Sequence, residues 1–172
     1  MTARRRTTIC IAALLGLPLG PLALLPAQAH PAQQEESAVT ARARGTFDVQ
    51  LTPRDPDVGV VDTVPARLTI AKQFHGDLEG TSRGQMLTAM TALEGSAGYV
   101  AIERVRGTLQ GRTGTFVLQH SGTLDRGASR LTITVVPDSG TEELAGLAGQ
   151  MAIVIEDGKH SYDFRYSLPG AR

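Results

Sequence analysis

From residue 46 to residue 168, apolar and polar side chains alternate in short runs separated by glycine-rich breaks, the pattern of half-buried β-strands. Thr46–Thr52 sets Phe47, Val49 and Leu51 on one face, and Arg67–Phe74 does the same with Leu68, Ile70 and Phe74. Between them, Pro53–Val64 holds Pro53, Asp55, Pro56, Asp57 and Gly59 and reads as a loop. The run MLTAMTAL within Glu79–Leu93 fits a helical turn or a strand. Gly80 and Gly84 before it, and Gly95 and Gly98 after it, leave too little room for a stable helix, so a strand is expected. Tyr99–Leu124 reads as two long strands joined at Gly111–Arg112. Leu109 would then face Gly114, Val105 would face Leu118, and Glu103 would face His120.

Asp125-Arg126-Gly127-Ala128 is a turn signal leading into LTITVV, the β-branched run Leu131–Val136. In Pro137–Gly149, Ser139 and Glu142 have capping-box spacing ahead of Leu144 and Leu147, which predicts a single helical turn. Met151–Leu168 is a second hairpin turning at Asp157-Gly158. It pairs Ile155 with His160, Ile153 with Tyr162 and Met151 with Phe164 on an apolar face, and leaves Ser161, Asp163, Arg165 and Ser167 on the other. About eight antiparallel strands with one apolar face each predict an all-β fold. A single eight-stranded barrel removes both sheet edges and encloses a lumen fit for side chains or one small ligand; a two-sheet sandwich is the alternative.

The N-terminus has a different character. Arg4, Arg5 and Arg6 precede the apolar run Ile9–Leu25, and Ala27-Gln28-Ala29 offers small residues at the positions a signal peptidase reads. Residues 1–29 are therefore expected to be a cleaved export signal, followed by a flexible tether (30–42), the barrel (43–168) and a short tail (169–172). A seventeen-residue run broken by two prolines is a poor membrane span, which needs ~20 apolar residues. A secreted or otherwise extracytoplasmic protein follows. A twin-arginine route is a weaker fit. Removing the signal takes away three arginines and no acid, leaving 14 basic residues against 17 acidic ones. A mildly acidic chain without tryptophan or a basic run does not suit nucleic acid. The single cysteine, Cys10, lies in the signal, so neither a disulfide nor a thiolate metal site would stabilise the exported form.

Chemistry concentrates on the inner face. Glu103 in an apolar lumen costs several kcal/mol if it is charged and unpaired, and His120 is placed to share its proton. The pair is a candidate acid/base couple, or two residues that merely satisfy each other. Tyr99, Glu103, Phe116, Leu118, His120, His160 and Tyr162 are the candidate ligand-binding residues. His75, Asp77 and Glu79 alternate as metal ligands would, but a turn at Gly76-Asp77 would scatter them, so no metal and no cofactor is expected. Met86 and Met90 read as core filler, and no serine stands in a nucleophile elbow.

Five stretches in fixed order, FHGDLEGTSRGQM, GSAGYVAIERVRGTL, GTFVLQHSGTL, VVPDSGTEELAGLAG and DGKHSYDFRY, resemble the bacterial domain-of-unknown-function family number 3224 over roughly residues 43–168. The resemblance implies a small barrel similar to plant allene oxide cyclase on a lipocalin-like scaffold, and it implies no activity. Three expectations follow: an exported barrel binding a small apolar molecule in its lumen; an isomerase or cyclase in which Glu103 or His120 moves a proton; or a structural barrel that meets partners through its outside.

Overall fold

The structure is a computed structural model that describes residues 40–54 and 66–170. Among these, eight strands run in chain order: β1 (Thr40–Pro53), β2 (Ala66–Gly76), β3 (Leu78–Met90), β4 (Ala97–Leu109), β5 (Arg112–Asp125), β6 (Ala128–Val135), β7 (Ala148–Glu156) and β8 (Lys159–Ser167). Each pairs antiparallel with the next, and β1 pairs with β8 to close a barrel, so the sandwich alternative falls. The expected signal, most of the tether, and the loop after Pro53 lie outside the described residues. Thr40–Arg42, expected in the tether, instead form the first rungs of β1 against β8.

Three two-residue turns set the register. Gln110-Gly111, Arg126-Gly127 and Asp157-Gly158 all have positive φ, the backbone whose twist matches paired strands. The β7–β8 register is the expected one, with Ile155 across from His160 and Ile153 across from Tyr162. The β4–β5 register is not. The loop is Gln110-Gly111 rather than Gly111-Arg112, so Leu109 pairs with Arg112, Glu103 with Leu118, and Ala101 with His120. Pairing slips by two residues, which preserves the inner face and changes every partner on it.

The two ends of the barrel differ. Where β2 turns into β3 and β4 into β5, Leu78, Leu109, Phe116, Leu144, Leu147 and Leu168 are all 2% exposed or less. Leu144 ends a 3-10 turn, Glu142–Leu144, that seals this end. The turn can sit there because position 114 is glycine: a Cβ on Gly114 would collide with the Thr141 carbonyl oxygen. The expected Ser139 cap does not form. Thr141 occupies the cap position with no capping side-chain bond, and Ser139 Oγ instead accepts from the Val117 N–H at 3.0 Å. Together with Thr115 N–H donating to Thr141 Oγ1 at 3.0 Å, this makes the connection a partner for the start of β5, which β6 does not reach.

Tyrosines do similar work inside the wall. All three of the chain's tyrosines face a glycine on a neighbouring strand: Tyr99 opposite Gly122, Tyr162 opposite Gly45, and Tyr166 opposite Gly149. At Gly45 and Gly122 the rings of Tyr162 and Tyr99 fill the space a side chain would otherwise take, which pins register at those bare positions. Two of the hydroxyls tie down the sealed end. Tyr162 Oη accepts from the Leu78 N–H at 2.8 Å, and Tyr166 Oη bonds Gln110 Oε1 at 2.6 Å.

Toward the other end the same inward-facing positions open to solvent: Leu51 is 49% exposed, Met90 64%, Leu131 38% and Ile155 62%. Met90 is thus rim rather than the core filler expected, and Met86 is only half-buried. Leu144→Ala should lower stability by about 2–5 kcal/mol, the cost of a cavity in a sealed core. Ile155→Ala, made at the open rim, should change it by no more than about 0.5 kcal/mol. Urea unfolding of both variants measures the contrast.

Candidate functional site

Glu103 lies midway along β4 on the inner face and is fully buried. Its neighbour across β3 is Gly84, and His120 sits across from Ala101, so two small residues leave room for the longer side chains to lean diagonally. Glu103 and His120 do meet, although not as opposite residues: Nε2 lies 2.9 Å from Oε2. The contact is bent, since Nε2 has no aligned hydrogen-bond partner despite being buried. The closeness makes it an electrostatic contact rather than a full hydrogen bond.

Lys72 and Ser82 complete the cluster, and neither was among the expected site residues. Lys72 Nζ bonds Glu103 Oε2 at 2.8 Å, from a side chain only 6% exposed. Ser82, paired directly with Lys72 across β2–β3, donates its hydroxyl to Oε1. The ammonium also lies 4.9 Å from the centroid of the Phe47 ring and 5.7 Å from that of Phe74, which adds cation–π attraction. Both were visible in principle. Lys72 has the parity of Ile70 and Phe74, and Ser82 that of Leu78 and Met86, so the alternation already pointed them inward.

Burial pushes the Glu103 carboxyl up, but His120, Lys72 and Ser82 outweigh it and hold the pKa at about 2, below the ordinary 4.5. A carboxylate with both oxygens occupied and so low a pKa is not poised to exchange protons near neutral pH. The remaining expected residues separate. Tyr99 stands half-buried above the cluster; burial, then the Glu103 charge, raises its pKa. His160 lies near the open mouth with its ring 5.1 Å from that of Phe47. Phe116 and Leu118 are fully buried in the packed half, Phe116 stacked on Phe164 at 5.8 Å. Tyr162 spends its hydroxyl on the sealed end, as described above. These three are wall and plug, not lining.

His75, Asp77 and Glu79 serve the β2–β3 turn. Asp77 Oδ2 accepts from the Arg44 N–H at 2.8 Å, and Glu79 Oε1 from the Gly76 N–H at 2.7 Å. Among the described residues no group of three or more His, Cys, Asp or Glu is gathered for a metal.

The fold and its interior define a class: a small antiparallel eight-stranded β-barrel, sealed at one end, with a buried Lys–Glu ion pair at mid-height. The family model for "Protein of unknown function (DUF3224)" matches residues 43–166, and the chain belongs to that family. It is similar to a crystal structure of a protein with unknown function from the DUF3224 family of Shewanella oneidensis MR-1. The two are 50% identical with a TM-score of 0.69, covering 76% of this chain and 98% of the other. No curated protein matches it.

Two consequences can be measured. Lys72→Met should cost about 3–5 kcal/mol by leaving a buried carboxylate without its counter-charge, and Lys72→Met with Glu103→Leu should recover most of that loss. Because the folded pKa of Glu103 lies below its unfolded value, its stabilisation is complete above pH 4.5 and is lost as pH falls toward 2. Linkage puts the amount at about 3 kcal/mol. Urea unfolding of wild type and Glu103→Gln at several pH values should show their stabilities converging across that window. A gap that stays constant down to pH 2 would mean the carboxylate is not held as described.

Proposed function

We propose that this protein, after export, binds a small, uncharged, largely apolar molecule in the open half of its barrel. The observation that carries the reading is the asymmetry of the inner face: Leu51, Met90, Leu131 and Ile155 are 38–64% exposed, while Leu78, Leu109, Phe116 and Leu168 at the sealed end are 2% exposed or less. Apolar side chains on the concave face of a closed sheet, left uncovered, are what a ligand cup presents. β6 and β7 pair only at Thr134–Gln150, and beside that seam lies a cleft of about 300 Å³ reaching Leu131, Ile133 and Met151.

The floor of the cup favours a neutral ligand. Lys72 already neutralises Glu103, so an entering acid would meet a carboxylate and no spare cation. His120 Nε2, buried without an aligned partner, and Tyr99, on the same inner face above it, are the groups suited to a single hydroxyl or carbonyl. Proton transfer by Glu103 finds no such support, because its oxygens are engaged and its pKa is low.

Titration with the neutral fluorophore N-phenyl-1-naphthylamine tests the reading. Wild type should bind it, and Met86→Trp and Ile153→Trp, which fill the cup, should weaken binding at least tenfold while thermal unfolding stays within a few degrees. Equal affinity in both folded variants would overturn it.

A further inference from the structure

The outer wall over β3, β4 and β5 carries a second, chemically different surface. Every phenylalanine and tyrosine of the chain sits at an inward-facing strand position, so this outer wall has no aromatic residue. It has instead an apolar stripe of Leu87, Val100, Ile102 and Val117, of which the first three are 48–53% exposed. They line a groove of about 750 Å³ together with Arg67, Arg83 and Arg104; the groove also reaches Ala101 and His120 between the strands, and among the described residues no acidic one lines it.

The arginines are arranged against the interest of the isolated chain. Arg83 and Arg104 occupy directly opposite positions on β3 and β4, and Arg106 lies one rung further, opposite Thr81. Like charges directly across a strand pair destabilise it. Among the described residues neither Arg83 nor Arg104 has an ion-pair partner, although the chain has acids enough to supply one elsewhere, as Asp163 does for Arg42. Two unopposed guanidinium groups beside an exposed apolar stripe match one ligand chemistry: an anionic head with an apolar tail.

We propose that the β3–β5 groove binds a free single-chain amphiphile through its carboxylate or similar anionic head. Arg83 and Arg104 take the head, and Leu87, Val100 and Ile102 take the chain. The volume is that of a small-molecule site. A second copy of the chain fits poorly, because a two-fold contact through this wall would bring the arginine pairs together. Single-stranded nucleic acid would want stacking rings that the wall lacks. Its head-binding arginines and apolar stripe lie on the opposite face of the wall from the cup, which favours neutral ligands, and the two meet only where the groove reaches His120.

Decanoate, used below its micelle-forming concentration, is the probe, with 1,2-decanediol as the uncharged control. Calorimetric titration should show decanoate binding that weakens as salt rises and falls about tenfold or more in Arg83→Gln/Arg104→Gln. The diol should bind no differently to wild type and to that variant. The double variant should melt no lower than wild type, since it relieves a repulsion, and Ile102→Glu should abolish decanoate binding while leaving naphthylamine binding in the cup intact. Amide shifts should fall on β3–β5. Unchanged decanoate affinity in both variants would overturn the proposal. So would shifts confined to inward-facing residues, binding to phosphatidylglycerol vesicles but not to monomeric decanoate, or self-association through this wall.

Discussion

The ion pair between Lys72 and Glu103 is the constraint that the middle of the barrel is built around. Two charges removed from water cost several kcal/mol each, and attraction offsets this only with good geometry and satisfied remaining lone pairs. The barrel supplies those terms one by one. Ser82 takes the second carboxylate oxygen, His120 closes from the far side, and the Phe47 and Phe74 rings lie close to the ammonium. Small residues are part of the arrangement, since Gly84 and Ala101 are what let Glu103 and His120 lean together. An apolar pair of similar volume would be no less stable on general grounds, so the cluster is better understood as fixing the polarity of the cup floor than as holding the fold up.

Holding the fold up falls to the sealed end. With no cysteine in the described barrel, packing and hydrogen bonds must suffice, and they converge where β2 meets β3 and β4 meets β5. Gln110 illustrates the economy of the arrangement. Its amide N–H bonds Asp77 O at 2.8 Å, its side chain bonds Arg42 O at 3.0 Å and accepts the Tyr166 hydroxyl, so one turn residue joins four strands or their turns. The open end has no such convergence, and β6 and β7 hardly pair. Stability concentrated at one end leaves the other free to remain uncovered, which is the division the proposed binding cup would require.

Most of this architecture was legible in the alternation of the sequence. Which face a residue occupies depends only on parity, and parity survives a two-residue slip; hence Glu103, His120 and Tyr99 fell on the inner face even though the β4–β5 partners were misassigned. The slip came from placing the turn at Gly111-Arg112. The true turn puts the non-glycine Gln110 at φ 45°, and the tertiary contacts of its side chain compensate for a conformation that residue type seldom chooses. Lys72 was missed for the opposite reason. Only its apolar neighbours Leu68, Ile70 and Phe74 were weighed for the inner face, although Lys72 shares their parity. A buried lysine is rare, and only its partner on another strand explains this one.

Parity also explains why the two faces of the same three strands differ so sharply in charge. Inside, each charged group has an opposite charge within reach, because an unpaired one would destabilise the barrel. Outside, Arg83 and Arg104 stand across from one another with no ion-pair partner among the described residues. A repulsion at the surface is screened and costs little, so it can persist where the interior equivalent cannot. That cheapness is what makes the outer arrangement informative. Stability neither requires nor forbids it, and the feature that distinguishes this wall from an ordinary solvated face is the apolar stripe beside the charges. An apolar stripe is costly to leave wet and a cation pair is costly to bury alone; one ligand carrying both a tail and a negative head relieves both at once.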